Sequence, residues 1–440
     1  MQSPLYMSES FHTVIKEIME FKESNTLTVS CSFMLENGET IDFTPGVISR
    51  FEVEQNFYGA IADTVTIDIA MTTATYMKVV EFRQNIIAKI DIVQSSPAGK
   101  SRKDYFKSLR YNAILLNYED PAFHAPIKSL EHVESEESSE FKTFTVEFDL
   151  IPMSIYKVKK NKFNFILNKA TMEDTILMIA DILGFKEIYL VPPDNTVEYL
   201  NVVIPPLLEM QDIFDFLQDS DAYGIYDNGI SYYIYNDILY IYPMFNNLTN
   251  TPGFNVYSVG VGSYAGSTNF FKLDPNGDLY VMNNNKLNIS TPSQANVENI
   301  GTSMIVNTPH KHIDGSGKLT ADGLFTVDPE FITSVSIESD PSGVMGESFT
   351  QTYETTDNLN AMHTVLSGNL YKTIGFIWPF ALPFMVLPTS NVKFVYEDGS
   401  HIQTLVGWCT YAKYSFAKTQ SINKDTFACK ADIVLGLLTD

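Results

Sequence analysis

Residues 400–440, "SHIQTLVGWCTYAKYSFAKTQSINKDTFACKADIVLGLLTD", decide how this chain is read. A long β-prone run is followed by the polar turn KTQSINK and a closing run, DTFACKADIVLG. In the closing run Phe427, Cys429, Ala431, Ile433 and Leu435 alternate with Ala428, Lys430, Asp432 and Val434, the pattern of a strand with one core face and one mostly polar face. With NVKFVY and EDGSH ahead of it, the order is strand, turn, long strand, polar turn, closing strand. Residues 85–150 carry the same order in NIIAKIDIV, LRYNAILLNYE and FTVEFDLI. A repeated meander is the trace a duplicated barrel leaves. The sequence therefore predicts two related barrels, with Thr426–Leu435 closing the second. On that reading, truncation after Asn423 opens the second barrel, favours aggregation and leaves the first barrel able to fold.

Working outward, the β pattern begins at Thr26 with TLTVSCSFML, turns at Asn37-Gly38, and continues through ETIDFTPGVISRFEVEQ to DTVTIDIAM, where Val65, Ile67 and Ile69 alternate strictly. The polar run Glu134–Glu140 separates two extended segments and reads as a solvated hairpin tip. Near Ile155 the period changes. Thr171-Met-Glu-Asp174 has the form of a capping box, Ile176, Ile179, Ala180 and Leu183 share a face, and Gly184 is a stop, so a helix is expected over 171–183. A second amphipathic stretch carries Leu208, Ile213, Phe214 and Leu217. It leads into ISYYIYNDILYIYPMF, a hairpin turning at Asn236-Asp237 whose tyrosines read as packed sheet surface rather than a stacking platform.

The fold class expected is mainly β with α+β, divided as follows. An N-terminal helix occupies 1–25 and buries Phe11, Val14, Ile15 and Ile18; a first tube-type barrel spans 26–155; a small α/β module spans 156–250. A second tube-type barrel is assembled from 251–290 and 371–440, interrupted at 291–370 by a loop-rich insertion carrying a helix over 356–371.

Composition excludes several function classes. The 440 residues are 45% hydrophobic and 13% aromatic with only 19% charged, which rules out a largely disordered chain. A net charge of −24 repels nucleic acid rather than gripping it. The imbalance is uneven, since Glu187–Thr308 holds 13 acidic and 2 basic residues. Two basic clusters stand against it: Lys100, Arg102, Lys103, Lys107 and Arg110, and Lys157, Lys159, Lys160 and Lys162. Their sharper reading is contact with an acidic neighbouring subunit. Cys31, Cys409 and Cys429 are odd in number and widely spaced, which argues against a disulfide framework or zinc knuckle. The N-terminus lacks the pattern of a signal peptide. The most apolar stretch, IGFIWPFALPFMVLP, is 15 residues long with three prolines, too short and broken for a membrane helix.

No arrangement carrying catalytic chemistry emerges, and no cofactor is expected. His310-Lys-His312 with Asp314 is the best metal candidate because alternate residues on a strand face one way, but a third ligand with clear spacing is missing, so no metal is expected at His310 or His312. GVGSYAG precedes β-prone sequence rather than the helix a pyrophosphate requires. DPNGD at 274–278 misses EF-hand spacing and reads as a turn.

Three stretches carry a family resemblance: TVTIDIAM after FYGAIAD; ATMEDTILMIADILGF followed by IPPLLEMQDIFDFLQDSDAYGIYDNG; and Leu387-Pro388-Thr389-Ser390 leading into NVKFVYEDG. They resemble the central hub proteins of bacteriophage baseplates and tail tips, the family of late-control-D-like hubs and the hub part of type VI secretion spike proteins. The resemblance implies a structural, non-enzymatic virion protein assembled in the host cytoplasm. Three copies with two barrels each would make a pseudo-sixfold ring joining the tail tube or distal tail proteins to a separate spike polypeptide, lining a passage through which DNA moves without specific binding. Candidate assembly contacts are Lys100, Arg102 and Lys103 in the first basic cluster and Phe427 and Ile433 in the closing strand. A tail-associated receptor- or glycan-binding protein using the tyrosine hairpin, and a carboxylate-based cell-wall hydrolase, are the alternatives from other classes.

Overall fold

The computed structural model describes residues 4–20, 26–57, 60–83, 85–94, 106–115, 143–160, 162–218, 223–226, 230–243, 253–260, 270–274, 277–284, 288–290, 303–308, 311–313, 334–339, 349–353, 371–398, 401–419 and 426–438. In chain order, helix α1 (Pro4–Glu20) precedes β1 (Thr26–Met34), β2 (Thr40–Phe43), β3 (Ile48–Asn56), β4 (Thr64–Thr72), α2 (Thr73–Glu81), β5 (Ile86–Gln94), β6 (Phe106–Leu115) and β7 (Thr143–Pro152). Then come α3 (Met153–Lys160), β8 (Phe163–Ala170), α4 (Met172–Ile182), β9 (Glu187–Leu190), β10 (Tyr199–Leu208), α5 (Met210–Gln218), β11 (Ile230–Tyr235) and β12 (Ile238–Pro243). The remainder is β: β13 (Phe254–Ser258), β14 (Phe271–Leu273), β15 (Leu279–Asn283), β16 (Asn288–Ser290), β17 (Ser303–Thr308), β18 (Lys311–Ile313), β19 (Ser334–Ser339), β20 (Phe349–Tyr353), β21 (Tyr371–Trp378), β22 (Asn391–Asp398), β23 (His401–Lys418) and β24 (Phe427–Leu438).

Eight of these strands close a barrel in the order β23-β3-β4-β7-β6-β5-β1-β24, with the β23–β24 pairing completing the circuit. Its inward positions are apolar by strict alternation, as in β4, where Val65, Ile67, Ile69 and Met71 are buried. Aromatic edges fill the interior: Phe33 lies 4.9 Å from Phe43 and 4.9 Å from Phe148, and Phe51 lies 4.7 Å from Phe416. The barrel is a packed core, as an eight-stranded barrel filled by side chains should be.

The expected assignment of the last two long strands to the second barrel alone needs correction. Strand β23 has 18 residues, about 60 Å at ~3.4 Å per residue, too long for one small barrel wall. Its first part pairs with β22 and, after a register break between Cys409 and Tyr411, its second part pairs with β3. Strand β24 follows β23 throughout, pairs with β21 over Ala431–Leu438, and touches β1 at Phe427 and Ala428. The two strands thus belong to the closed barrel and to a second run of paired strands, β14-β15-β13-β22-β23-β24-β21-β16. Helix α1 lies on that second sheet, burying Phe11, Ile15 and Ile18 with Phe11 against Tyr257, and an ion pair joins Lys272 to Glu17 at 2.6 Å.

Helix α4 forms where the sequence signals predict it. Thr171 caps α4 in a reciprocal box with Asp174, and Gly184 at φ +75° ends it, with Phe185 N–H donating to the Ala180 carbonyl. Helices α4 and α5 share a second hydrophobic cluster with Val202 and Ile204 of β10, which pairs with β8. Leu208 ends β10 rather than starting the helix. Helices α2 and α3 were not anticipated; for α2 the available signal was Thr72, whose side chain accepts from Thr75 N–H. At DPNGD, Gly277 has φ +95° and its N–H donates to the Asp274 carbonyl at 3.0 Å; Pro275 and Asn276 lie outside the described residues. Strands β17–β20 make a separate sheet ordered β18-β17-β19-β20. The Glu134–Glu140 run lies outside the described residues, as does the expected helix over 356–371 except for Tyr371, which opens β21.

Candidate functional site: the barrel wall and the tyrosine seam

Hairpin β11–β12 turns at Asn236 and Asp237, both with positive φ (52° and 62°), as a tight two-residue turn requires. Its two faces are buried in different cores. Ile230, Ile234, Leu239 and Ile241 belong to the module's cluster, whereas Tyr233, Tyr235, Tyr240 and Tyr242 belong to the barrel's. The alternation read in the sequence as packed surface is thus a seam between two bodies, and these tyrosines offer no exposed stacking platform.

At the seam the β3–β4 connection meets the hairpin. Ile234 N–H donates to the Ile61 carbonyl at 2.7 Å, Ala62 bridges Ile234 in parallel, and the Tyr242 hydroxyl donates to the Phe57 carbonyl at 2.6 Å. In the middle sits Asp63. Its Oδ1 accepts from the Tyr233 hydroxyl at 2.7 Å and from Gln55 Nε2 at 3.0 Å. Burial pushes this carboxyl up to about 6, against the two hydrogen bonds and the Lys107 charge, which pull it down. Lys107 shares the inward register of Leu109 and Tyr111 on β6, with its Nζ 4.9 Å from the centre of the Tyr235 ring. Burial lowers its pKa, and Asp63 opposes the drop. Phe384 stacks on Tyr235 at 6.3 Å and also meets Tyr414 at 5.3 Å.

The outward face of the barrel is charged and polarised. Register places Arg50 opposite Asp68 and Asp68 opposite Glu147, and in the next row Glu52, Thr66 and Asp149 follow one another across β3, β4 and β7. Arg50 bridges Glu52 at 2.8 Å and Glu147 at 3.6 Å, and Lys413 reaches Glu52 at 3.3 Å. The Arg50 hydrogen bond lowers the Glu52 pKa; burial, then the neighbouring Glu147 charge, raises those of Asp68 and Asp149. Round the barrel on β5 and β6, Lys89 faces Arg110 and pairs with Asp91 of the next row at 2.7 Å, and beyond that row Val93 and Phe106 form an exposed apolar pair, Phe106 being 58% exposed. An acidic wall and a mixed wall with an exposed apolar end thus lie on different parts of one barrel.

The sequence-predicted contacts are distributed unevenly. Phe427 and Ile433 are fully buried in the barrel's core cluster, inside the wall rather than on its surface. Lys100, Arg102 and Lys103 lie outside the described residues, as do His310 and the His312 side chain. Among the described residues no group of three His, Cys, Asp or Glu side chains is placed to hold a metal ion, and no helix is long and apolar enough to cross a membrane. Sequence reasoning missed the Asp63–Gln55–Tyr233–Lys107 group. Its one legible signal was a lysine at an inward position of β6.

Filled barrel, buried seam and polarised wall together define a mainly β scaffold with helices. The chain belongs to the family described as the Bacteriophage PBS1 gene 109 protein, whose model matches residues 14–263, more than half of its length. The phage affiliation implied by the sequence resemblance is thereby borne out. No curated protein matches the chain by sequence. Among solved structures it is similar to a tail protein from Neisseria meningitidis MC58, with 10% identity and TM-score 0.43 over 93% of this chain and 96% of that one. It is also similar to the 43 kDa tail protein of prophage MuSo2 from Shewanella oneidensis, with 8% identity and TM-score 0.46 over 92% and 96%. A Francisella PdpA-VgrG complex matches with 11% identity and TM-score 0.42 over 94% of this chain and 58% of that one.

Proposed function

We propose that this protein is the central hub of a phage baseplate or tail tip, a structural virion component that joins the tail tube to a separate spike protein. The observation that carries the reading is a phage-family chain built on a closed, side-chain-filled barrel whose long strands continue into a second sheet. A filled barrel conducts nothing through its own centre, so a DNA passage has to lie between barrels, as the lumen of a ring.

The second sheet, in this reading, is the second tube-type barrel, and three chains supply the six barrels that match a sixfold tube. The unlike faces of the first barrel favour such packing, since the acidic wall of β3, β4 and β7 can meet a neighbour's β5–β6 side through its Arg110 and exposed Phe106. Net charge of −24 suits a lumen through which DNA slides without sticking. Native mass measurement of the protein with its tail partners, or a reconstruction of the particle, tests the proposal. Three copies per ring are expected; six intact chains per ring, or a single copy in the particle, would overturn it.

A further inference from the structure

Asp63 is a carboxyl enclosed on every side by elements of two bodies. Gln55 comes from β3, Lys107 and Tyr111 from β6, and Tyr233 from β11, with Tyr242 of β12 behind Tyr233 and Tyr235 beneath the Lys107 ammonium. Lys107 is the one cation in this group. The carboxyl sits where the Ile61–Ala62 backbone bonds to Ile234, so separating the hairpin from the barrel exposes Asp63 to water. Ionisation of a buried acid is penalised only while it stays buried, which couples its charge to the closure of the seam.

We propose that Asp63 is an acid-set latch, whose neutral form holds hairpin β11–β12 and the module behind it against the barrel, and whose ionised form loosens that docking. The sign follows from linkage. The docked carboxyl titrates at about 6 against 3.8 for a free one. Below about pH 4 both forms are neutral and docking has its full strength. Between about 4 and 6 the docked form keeps its proton while the opened form loses it, and docking weakens as pH rises. Above about 6 both are ionised, and the opening constant has risen roughly 100-fold, tenfold for each unit of separation. The latch rests on the seam alone and holds whatever ring the barrel joins.

Hydrogen exchange of the full-length protein, corrected for the intrinsic pH dependence of exchange, reads the opening directly. Amides of β11 and β12, Ile234 foremost, are expected to lose about 30-fold in protection between pH 4.5 and 7.5, the part of the roughly 100-fold change that lies above pH 4.5, while amides of β4 and β8 stay level. Asp63→Asn is expected to flatten that dependence. Tyr233→Phe, which removes a donor to the carboxylate, is expected to move the midpoint upward by about one unit. Protection in the wild-type hairpin that is level with pH, or that falls equally in β4 and β8, overturns the latch without any variant having to fold; an unmoved midpoint in Tyr233→Phe does the same.

Discussion

Gly407 and Gly436 mark the tightest point of the molecule. A Cβ on Gly407 would stand 1.9 Å from the Gly436 carbonyl oxygen, and one on Gly436 would stand 3.1 Å from the Trp408 ring. The crowding sits just before the register break at Cys409, where β23 leaves one sheet for the other. Backbone cannot move aside as a flexible side chain would, so Gly407→Ala is expected to destabilise the protein by about 1–3 kcal/mol, the range for overpacking a fitted core. A lowered denaturation midpoint with an unchanged slope is the expected result; a midpoint equal to wild type would show the crossing to be looser than described. Strain of another kind appears at Phe380 and Phe384, each following a proline and each at positive φ (53° and 59°), where glycine is usual. Phe384 is held there by Tyr235 and Tyr414, so the unfavourable backbone is offset by stacking at the seam.

Among the elements, α4 shows local chemistry acting alone. Thr171 accepts from Asp174 N–H at 3.2 Å, and Asp174 Oδ2 accepts from Thr171 N–H at 3.0 Å and from the Thr171 hydroxyl at 2.7 Å. These bonds hold the Asp174 carboxyl below the usual carboxylate range. Thr171→Ala is expected to cost about 1 kcal/mol, read as a shift in the urea midpoint, because it leaves N-terminal amides of the helix without their acceptor. Hairpin β11–β12 behaves differently. Its turn and alternation are local, yet both its faces are apolar or aromatic, and nothing within fourteen residues says which face meets the barrel and which the module. That choice is made by the β3–β4 connection, whose carbonyl at Ile61 is offered to Ile234.

For the molecule as a whole, the pairings of β23 and β24 alter what truncation does. The sequence reading has the first barrel surviving removal of everything after Asn423. The structure places β24 in the wall of that barrel, between β1 and β23, and its Phe427, Cys429, Ala431 and Ile433 in the same core. Removing it opens the barrel and leaves strand edges unpaired, against a typical domain stability of roughly 5–15 kcal/mol. The truncated chain is expected to lose barrel and second sheet together, giving aggregates and no protected β1–β7 amides in hydrogen exchange. The module, whose cluster takes nothing from β24, is expected to be the part that retains protection. A soluble truncated chain with native protection in β4 and β7 would contradict the shared wall.

What the sequence determined by itself was everything within reach of a few residues: the alternation of β4 and β24, the capped helix at 171–183, the Asn236-Asp237 turn, and the two meanders β5-β6-β7 and β22-β23-β24. Backbone geometry, capping and side-chain period act locally, so these features are legible without knowing their surroundings. The partner of each meander was not legible. Any antiparallel strand with an apolar face suits many neighbours, and whether β24 seals against β1, β21 or both depends on volumes and registers hundreds of residues apart in the chain. The Asp63 group was hidden for the same reason. An aspartate after FYGAIA is a turn residue until Tyr233, from 170 positions away, is placed over it, and only that burial by the second body turns a common carboxylate into one that resists ionisation.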